Sequence, residues 1–157
     1  MKIGCVIMAS GMARRFGSNK LLHDFHGEPM MVRILRSTAQ CDFTHRLVVT
    51  RHPEVESICQ AENVPCLLHD LPRRSDTVRL GVEKLLEKEP ELDGIMFAAS
   101  DQPCLKAVSI QKLLHAFEEN PASCRVMAKS GMHLIEETEV IAYRGKDHRC
   151  IYYEINK

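Results

Sequence analysis

The 157-residue sequence predicts an α/β fold, a three-layer α/β/α sandwich around a mostly parallel, Rossmann-like sheet. Three observations predict it. Short apolar runs without period-2 alternation, at Ile3–Ala9, within His45–Thr50 and at Ile95–Ala99, suit strands buried on both faces. Amphipathic helical segments stand between them, so strand, loop and helix alternate before the pattern turns to mixed β near the end. The first run opens directly into a glycine-bearing basic turn, at the strand end where open parallel sheets bind their ligands.

Taken in order, Ile3–Ala9 is the first buried strand. His23, Asp24, Phe25 and His26 then read as a solvated hairpin-like turn, since no third metal ligand follows at helical spacing. Gly27-Glu28-Pro29 opens a helix with Pro29 in its first turn and Met30, Met31, Ile34, Leu35 and Thr38 on one apolar stripe. HRLVVT, His45 to Thr50, is the second strand. Arg51-His52-Pro53 turns into a short helix from Glu54 to Glu62. Val64 to Leu68 is a short third strand at a sheet edge, because Pro65 cannot donate to a ladder. A polar loop from His69 leads into a helix from Ser75 to Lys88, with Ser75 or Asp76 as its N-cap. Ile95–Ala99 is the fourth strand and Val108 to Phe117 the next helix. Cys124–Lys129 reads as a fifth strand, Gly131 as a turn, and Leu134–Tyr143 and CIYYEI as β segments. The whole, 1–157, is expected to be a single domain.

Composition narrows the function. Lys plus Arg (21) equals Asp plus Glu (21), so neither a basic face for nucleic acid nor a polybasic membrane patch is expected, and anion binding must come from local placement. No apolar run approaches the roughly 20 residues of a membrane span, and no small-residue cleavage site follows the first apolar stretch. A cytoplasmic protein is expected. The 7 cysteines are scattered without a C-x-x-C pair, which favours reduced thiols over a disulfide framework or a zinc site.

The residues with chemistry gather after the first strand. Gly11 and Gly17 allow close backbone approach, and Arg14, Arg15 and Lys20 face the same turn, which is what a polyphosphate requires: amide donors, a guanidinium and an ammonium. Taken alone, the same residues also describe a solvated basic βα loop. Neither G-x-x-x-x-G-K-[ST] nor G-x-G-x-x-G follows the strand, so a P-loop kinase and a Rossmann dehydrogenase are not supported. At the end of the fourth strand, Ser100-Asp101-Gln102-Pro103 places an acid where a plain turn would equally fit.

The run MASGMARRFGSNKLL, followed by GEPMM, resembles the signature of the molybdenum-cofactor nucleotidyltransferase family, within the wider nucleoside-triphosphate transferase superfamily. RSDTVRLGVEKL and SDQP resemble two further segments of that family. The resemblance covers about residues 2 to 118 and then fades, so that Tyr143–Arg149 is only a faint echo of the family's acceptor segment. It implies that Ala9, Ser10, Gly11, Arg15, Gly17 and Lys20 lie on the nucleotide, with Gly11, Arg15, Gly17 and Lys20 on its phosphates, and that Thr77 and Gly81 lie beside it. Asp101 is implied to hold Mg²⁺, and Arg15, Lys20 and Asp101 form the implied catalytic set.

The resemblance implies a Mg²⁺-dependent transfer of a nucleoside monophosphate from CTP or GTP to a phosphorylated acceptor, foremost molybdopterin. A molybdoenzyme or another protein of the cofactor pathway is the implied macromolecular partner. Ser10 precedes the first loop glycine, and its Cβ leaves less room than glycine, which favours CTP. Two alternatives stand beside this reading: transfer to a sugar or isoprenoid phosphate, and a nucleotide-binding accessory protein with little turnover.

Overall fold

The computed structural model describes residues 1–11, 19–119, 133–143 and 146–154. The expected fifth strand at Cys124–Lys129 and the turn at Gly131 lie outside them. The chain divides into two compact units, Met1–Ile110 and Gln111–Lys157.

The first unit is built on four parallel strands, β1 (Ile3–Ala9), β2 (His45–Thr50), β3 (Cys66–Leu68) and β4 (Gly94–Ala99), in the order β3-β2-β1-β4. β1 is central and pairs with β2 from Gly4–His45 to Ala9–Thr50 and with β4 from Ile3–Gly94 to Met8–Ala99. Alternate residues of β1 go to opposite layers. Cys5, Ile7 and Ala9 pack with Met31, Ile34 and Leu35 of α1 (Met30–Ala39), Val55 and Cys59 of α2 (Pro53–Ala61) and Ile110 of α4 (Ala107–Glu119). Val6 and Met8 face the other way, with Leu47 and Val49 of β2, against Leu80 and Leu85 of α3 (Arg74–Lys88). Both faces of the central strand are therefore covered, which is why its sequence is apolar throughout rather than alternating. The sheet with a helical layer on either face is the α/β sandwich that the sequence predicts.

Local chemistry moves several boundaries. Pro29 is the N-cap of α1 rather than part of its first turn, while Pro53 enters α2, where its missing N–H costs nothing. α3 starts one residue before the expected Ser75: Arg73 is its N-cap, and its backbone N–H donates to Asp76 Oδ2 at 3.1 Å. Asp76 thus caps from inside the first turn, as the acid of a capping box does. β3 is shorter than expected and lies at an edge of the four strands, although the Pro65 carbonyl still accepts from Val48 N–H at 2.9 Å. The His23–His26 segment is a turn closed by Phe25 N–H to Glu28 O (2.8 Å) and Gly27 N–H to Asp24 Oδ1 (3.1 Å), with Gly27 at φ +87°.

In the second unit, β5 (His133–Tyr143) and β6 (Lys146–Glu154) form an antiparallel hairpin, in register from Tyr143–Lys146 to His133–Glu154 with an irregularity between Ile135 and Thr138. This gives the β-rich ending of the sequence its pairing.

Candidate active site

The carboxyl ends of β1, β2, β3 and β4 lie along one edge of the sheet, and the residues singled out in the sequence fall on it in two groups. Arg15 and Gly17 lie outside the described residues, as does Arg14. The two ends of their loop are described, and both are held by the start of α2. Gly11 O accepts from His52 Nε2–H at 3.2 Å, and Asn19 Nδ2 donates to Glu54 Oε1 at 3.2 Å. Asn19 Oδ1 also accepts from Leu21 N–H at 3.2 Å, capping the short helical turn Lys20–Leu22. Bonds from the backbone and from Asn19 keep the Glu54 carboxyl below the usual carboxylate range. Among the described residues, no atom lies within 4 Å of the place a Cβ on Gly11 would occupy.

The first group joins β1 to β4. Lys20 Nζ stands 3.4 Å from Asp101 Oδ2, with side chains 37% and 51% exposed. The strand end beneath is fixed by Ser100, which is buried and gives both its N–H (3.2 Å) and its hydroxyl (2.7 Å) to Met8 O. An ammonium and a carboxylate this exposed contribute about 0–1 kcal/mol to stability, and both keep free valences towards solvent. Asp101 offers the hard oxygen that Mg²⁺ prefers, a cation commonly held by one or two carboxylates together with substrate phosphates and water. Asp101 offers one such carboxylate; among the described residues, no group of three or more His, Cys, Asp or Glu side chains gathers to hold a metal ion.

The second group joins β1, β2, β3 and α3. Ser10 Oγ donates to Val49 O at 3.2 Å and lies 3.1 Å from His69 Nε2; the same ring nitrogen lies 3.1 Å from Thr77 Oγ1. Thr77 is buried, and its hydroxyl is brought to Ser10 through His69. His69 follows the end of β3, and its backbone N–H donates to Thr50 O at 3.0 Å. Ala9 has its side chain in the core and its carbonyl bonded to Thr50 Oγ1 at 2.9 Å. Gly81 is set deeper: a Cβ there would meet Val6 Cγ1 at 2.7 Å and Val49 Cγ2 at 3.3 Å, so close packing of α3 on the sheet already requires glycine.

No sequence motif gives a part to His69, His52, Asn19 or Glu54. The partners of His69 are 59 residues away at Ser10 and 8 away at Thr77, and a polar loop carries no periodic signal of either contact. Asn19 offers a weak one, as a small polar residue next to Lys20.

Comparison with known proteins finds likeness in sequence and in fold. A 3-deoxy-manno-octulosonate cytidylyltransferase from Neisseria meningitidis is 25% identical over 138 residues, 85% of this chain and 54% of that protein. The structure of a CMP:2-keto-3-deoxy-manno-octonic acid synthetase complexed with CTP superimposes with a TM-score of 0.63 at 24% identity, covering 78% of this chain and 49% of the other. A 4-diphosphocytidyl-2C-methyl-D-erythritol synthase gives a TM-score of 0.64 at 18% identity, over 96% and 68%. The chain thus spans about half the length of the cytidylyltransferase it matches. The model of the MobA-like NTP transferase domain matches residues 5–150, and the chain is a member of that family.

Proposed function

We propose that the chain transfers a cytidine monophosphate unit from CTP to a small sugar or isoprenoid phosphate. The observation that carries the reading is the Lys20–Asp101 pair, a cation and an acid side by side at the carboxyl ends of adjacent strands, next to the glycine turn. Family membership supports nucleotidyl transfer. The similar proteins are named for cytidylyl transfer to a sugar acid or for making a cytidylylated methylerythritol, which favours the sugar or isoprenoid acceptor over molybdopterin and CTP over GTP. Ser10, with its Cβ beside the turn, points the same way.

In this reading an acceptor oxygen attacks the α-phosphorus in line. The new P–O bond forms as the bond to the β-phosphate oxygen breaks, and pyrophosphate leaves with that electron pair. Lys20 places its ammonium on the triphosphate, offsetting charge that grows on the leaving group. Asp101 would hold Mg²⁺, which supplies further charge compensation when bound. Arg15 would add a bidentate phosphate contact from the loop. An acceptor phosphate is already ionised, so no general base is needed for it. Ala9, Ser10 and Gly11 would line the nucleotide through the turn backbone, with Thr77 behind Ser10 and Gly81 admitting α3 close to the sheet.

Pyrophosphate release on mixing the protein, Mg²⁺, CTP and a panel of sugar and isoprenoid phosphates, with molybdopterin included, tests the proposal. Release with a sugar or isoprenoid acceptor, lost in Asp101→Asn, is the expected result. Release with molybdopterin alone would move the acceptor back to the cofactor pathway. Tight CTP binding without release for any acceptor would make the chain a nucleotide-binding module. A thermal-shift panel of the four triphosphates with Mg²⁺ checks the base, and stronger stabilisation by GTP than by CTP would overturn that part.

A further inference from the structure

We propose that His69 is a positioning residue of the nucleotide site, whose neutral imidazole ties the Ser10 turn to the first turn of α3 and lets go of them in acid. The inference rests on the nucleotide reading and adds to it a residue and a pH dependence.

The hydrogen-bond arithmetic fixes the protonation state. Ser10 has one hydroxyl proton and directs it to Val49 O at 3.2 Å, so towards His69 it can only accept. Nε2 therefore carries the ring proton and presents it between two oxygens, Ser10 Oγ and Thr77 Oγ1, each 3.1 Å away. Nδ1 is left with its lone pair, shielded from solvent and without a hydrogen-bond partner among the described residues. One N–H thus spans two segments, the turn after β1 and the start of α3, and β2 joins them through Val49 O. The His69 main chain is held independently, by its backbone N–H on Thr50 O at 3.0 Å.

Acid removes the basis of this arrangement. A second proton would go to Nδ1, where it would find no acceptor, and the resulting cation would face the Arg51 guanidinium. Burial first and Arg51 second lower the His69 pKa from its usual 6.5, against the opposing pull of Asp76 on α3 and Asp70 on the same loop. A base depressed in the folded state is neutral above its ordinary pKa, and its contribution is complete there. That contribution is lost as pH falls through the depressed value. A histidine that touched phosphate directly would behave in the opposite way, because its positive charge would tighten triphosphate binding in acid.

The test is calorimetric titration of the whole chain with CTP and Mg²⁺, from about pH 7.5 down to about pH 5.5. His69→Gln can offer an amide N–H to the same two hydroxyls and does not titrate, so it also corrects for protonation of CTP itself. Expected at the upper pH is affinity within about threefold of wild type for His69→Gln and roughly tenfold weaker for His69→Ala. Expected at the lower pH is a further loss of about a few-fold in wild type relative to His69→Gln, held below tenfold because a ring lowered from 6.5 is only partly charged there. Equal pH slopes for wild type and His69→Gln would overturn the inference, and so would tighter binding by wild type in acid. A wild type that bound CTP at no pH would instead overturn the nucleotide reading, and the positioning role with it.

Discussion

At the β4 side of the carboxyl edge, Lys20 and Asp101 face each other 3.4 Å apart in solvent; at the β3 side, Ser10, His69 and Thr77 share one covered ring nitrogen. The first is ionic and half exposed, so water screens it and it adds little to folding. The second is neutral and largely covered, so each of its bonds holds backbone in place and a lost partner is expensive. Two clusters on one sheet edge thus divide the work. In the proposed function the exposed pair keeps its charges available to a ligand, and the covered network holds the surrounding segments in place.

Substitutions should separate the two regions. The largest effect is expected from Asp101→Asn, which should cut pyrophosphate release by roughly 10²–10³-fold while leaving the melting temperature nearly unchanged; a marked fall in melting temperature would mean that the pair is structural after all. Lys20→Ala comes next, with a loss of about 1.5–3 kcal/mol in CTP binding, or roughly ten- to hundredfold in affinity. Unchanged binding by calorimetry would remove the turn from the phosphate site. Gly81→Ala pushes a methyl group into Val6 and should cost about 1–3 kcal/mol of stability by denaturant titration. Its CTP affinity, measured where the variant is still folded, should fall much less than that of Lys20→Ala if Gly81 acts through packing. Smallest is Ser100→Ala, which takes a hydroxyl from Met8 O at 2.7 Å and should cost about 1 kcal/mol. A gain in stability there would show that the buried hydroxyl serves the Asp101 loop rather than folding.

Much of the parallel unit was legible because it is written locally. Ile3–Ala9 has to be buried on both sides, and its odd and even residues do enter different layers. The edge position of β3 was legible from one proline, and the position of Asp101 just past β4 from the apolar run before it. Helix starts were less so. Ser75 and Asp76 both look like N-caps, and the choice of Arg73 with Asp76 inside the first turn depends on which backbone N–H groups the preceding loop leaves unpaired.

The amino-acid sequence by itself determined the class of fold, which depends on periodicity within short segments, and its motifs carried the resemblance as far as the nucleoside-triphosphate transferase superfamily. Tertiary structure alone decided which polar side chains meet. Ser10, Val49, His69 and Thr77 become neighbours only because β2 lies between β1 and β3 and α3 returns to the same edge. A hydrogen bond reaches about 3 Å, so a contact made across 59 residues is set by strand order and register, and no window of sequence contains it.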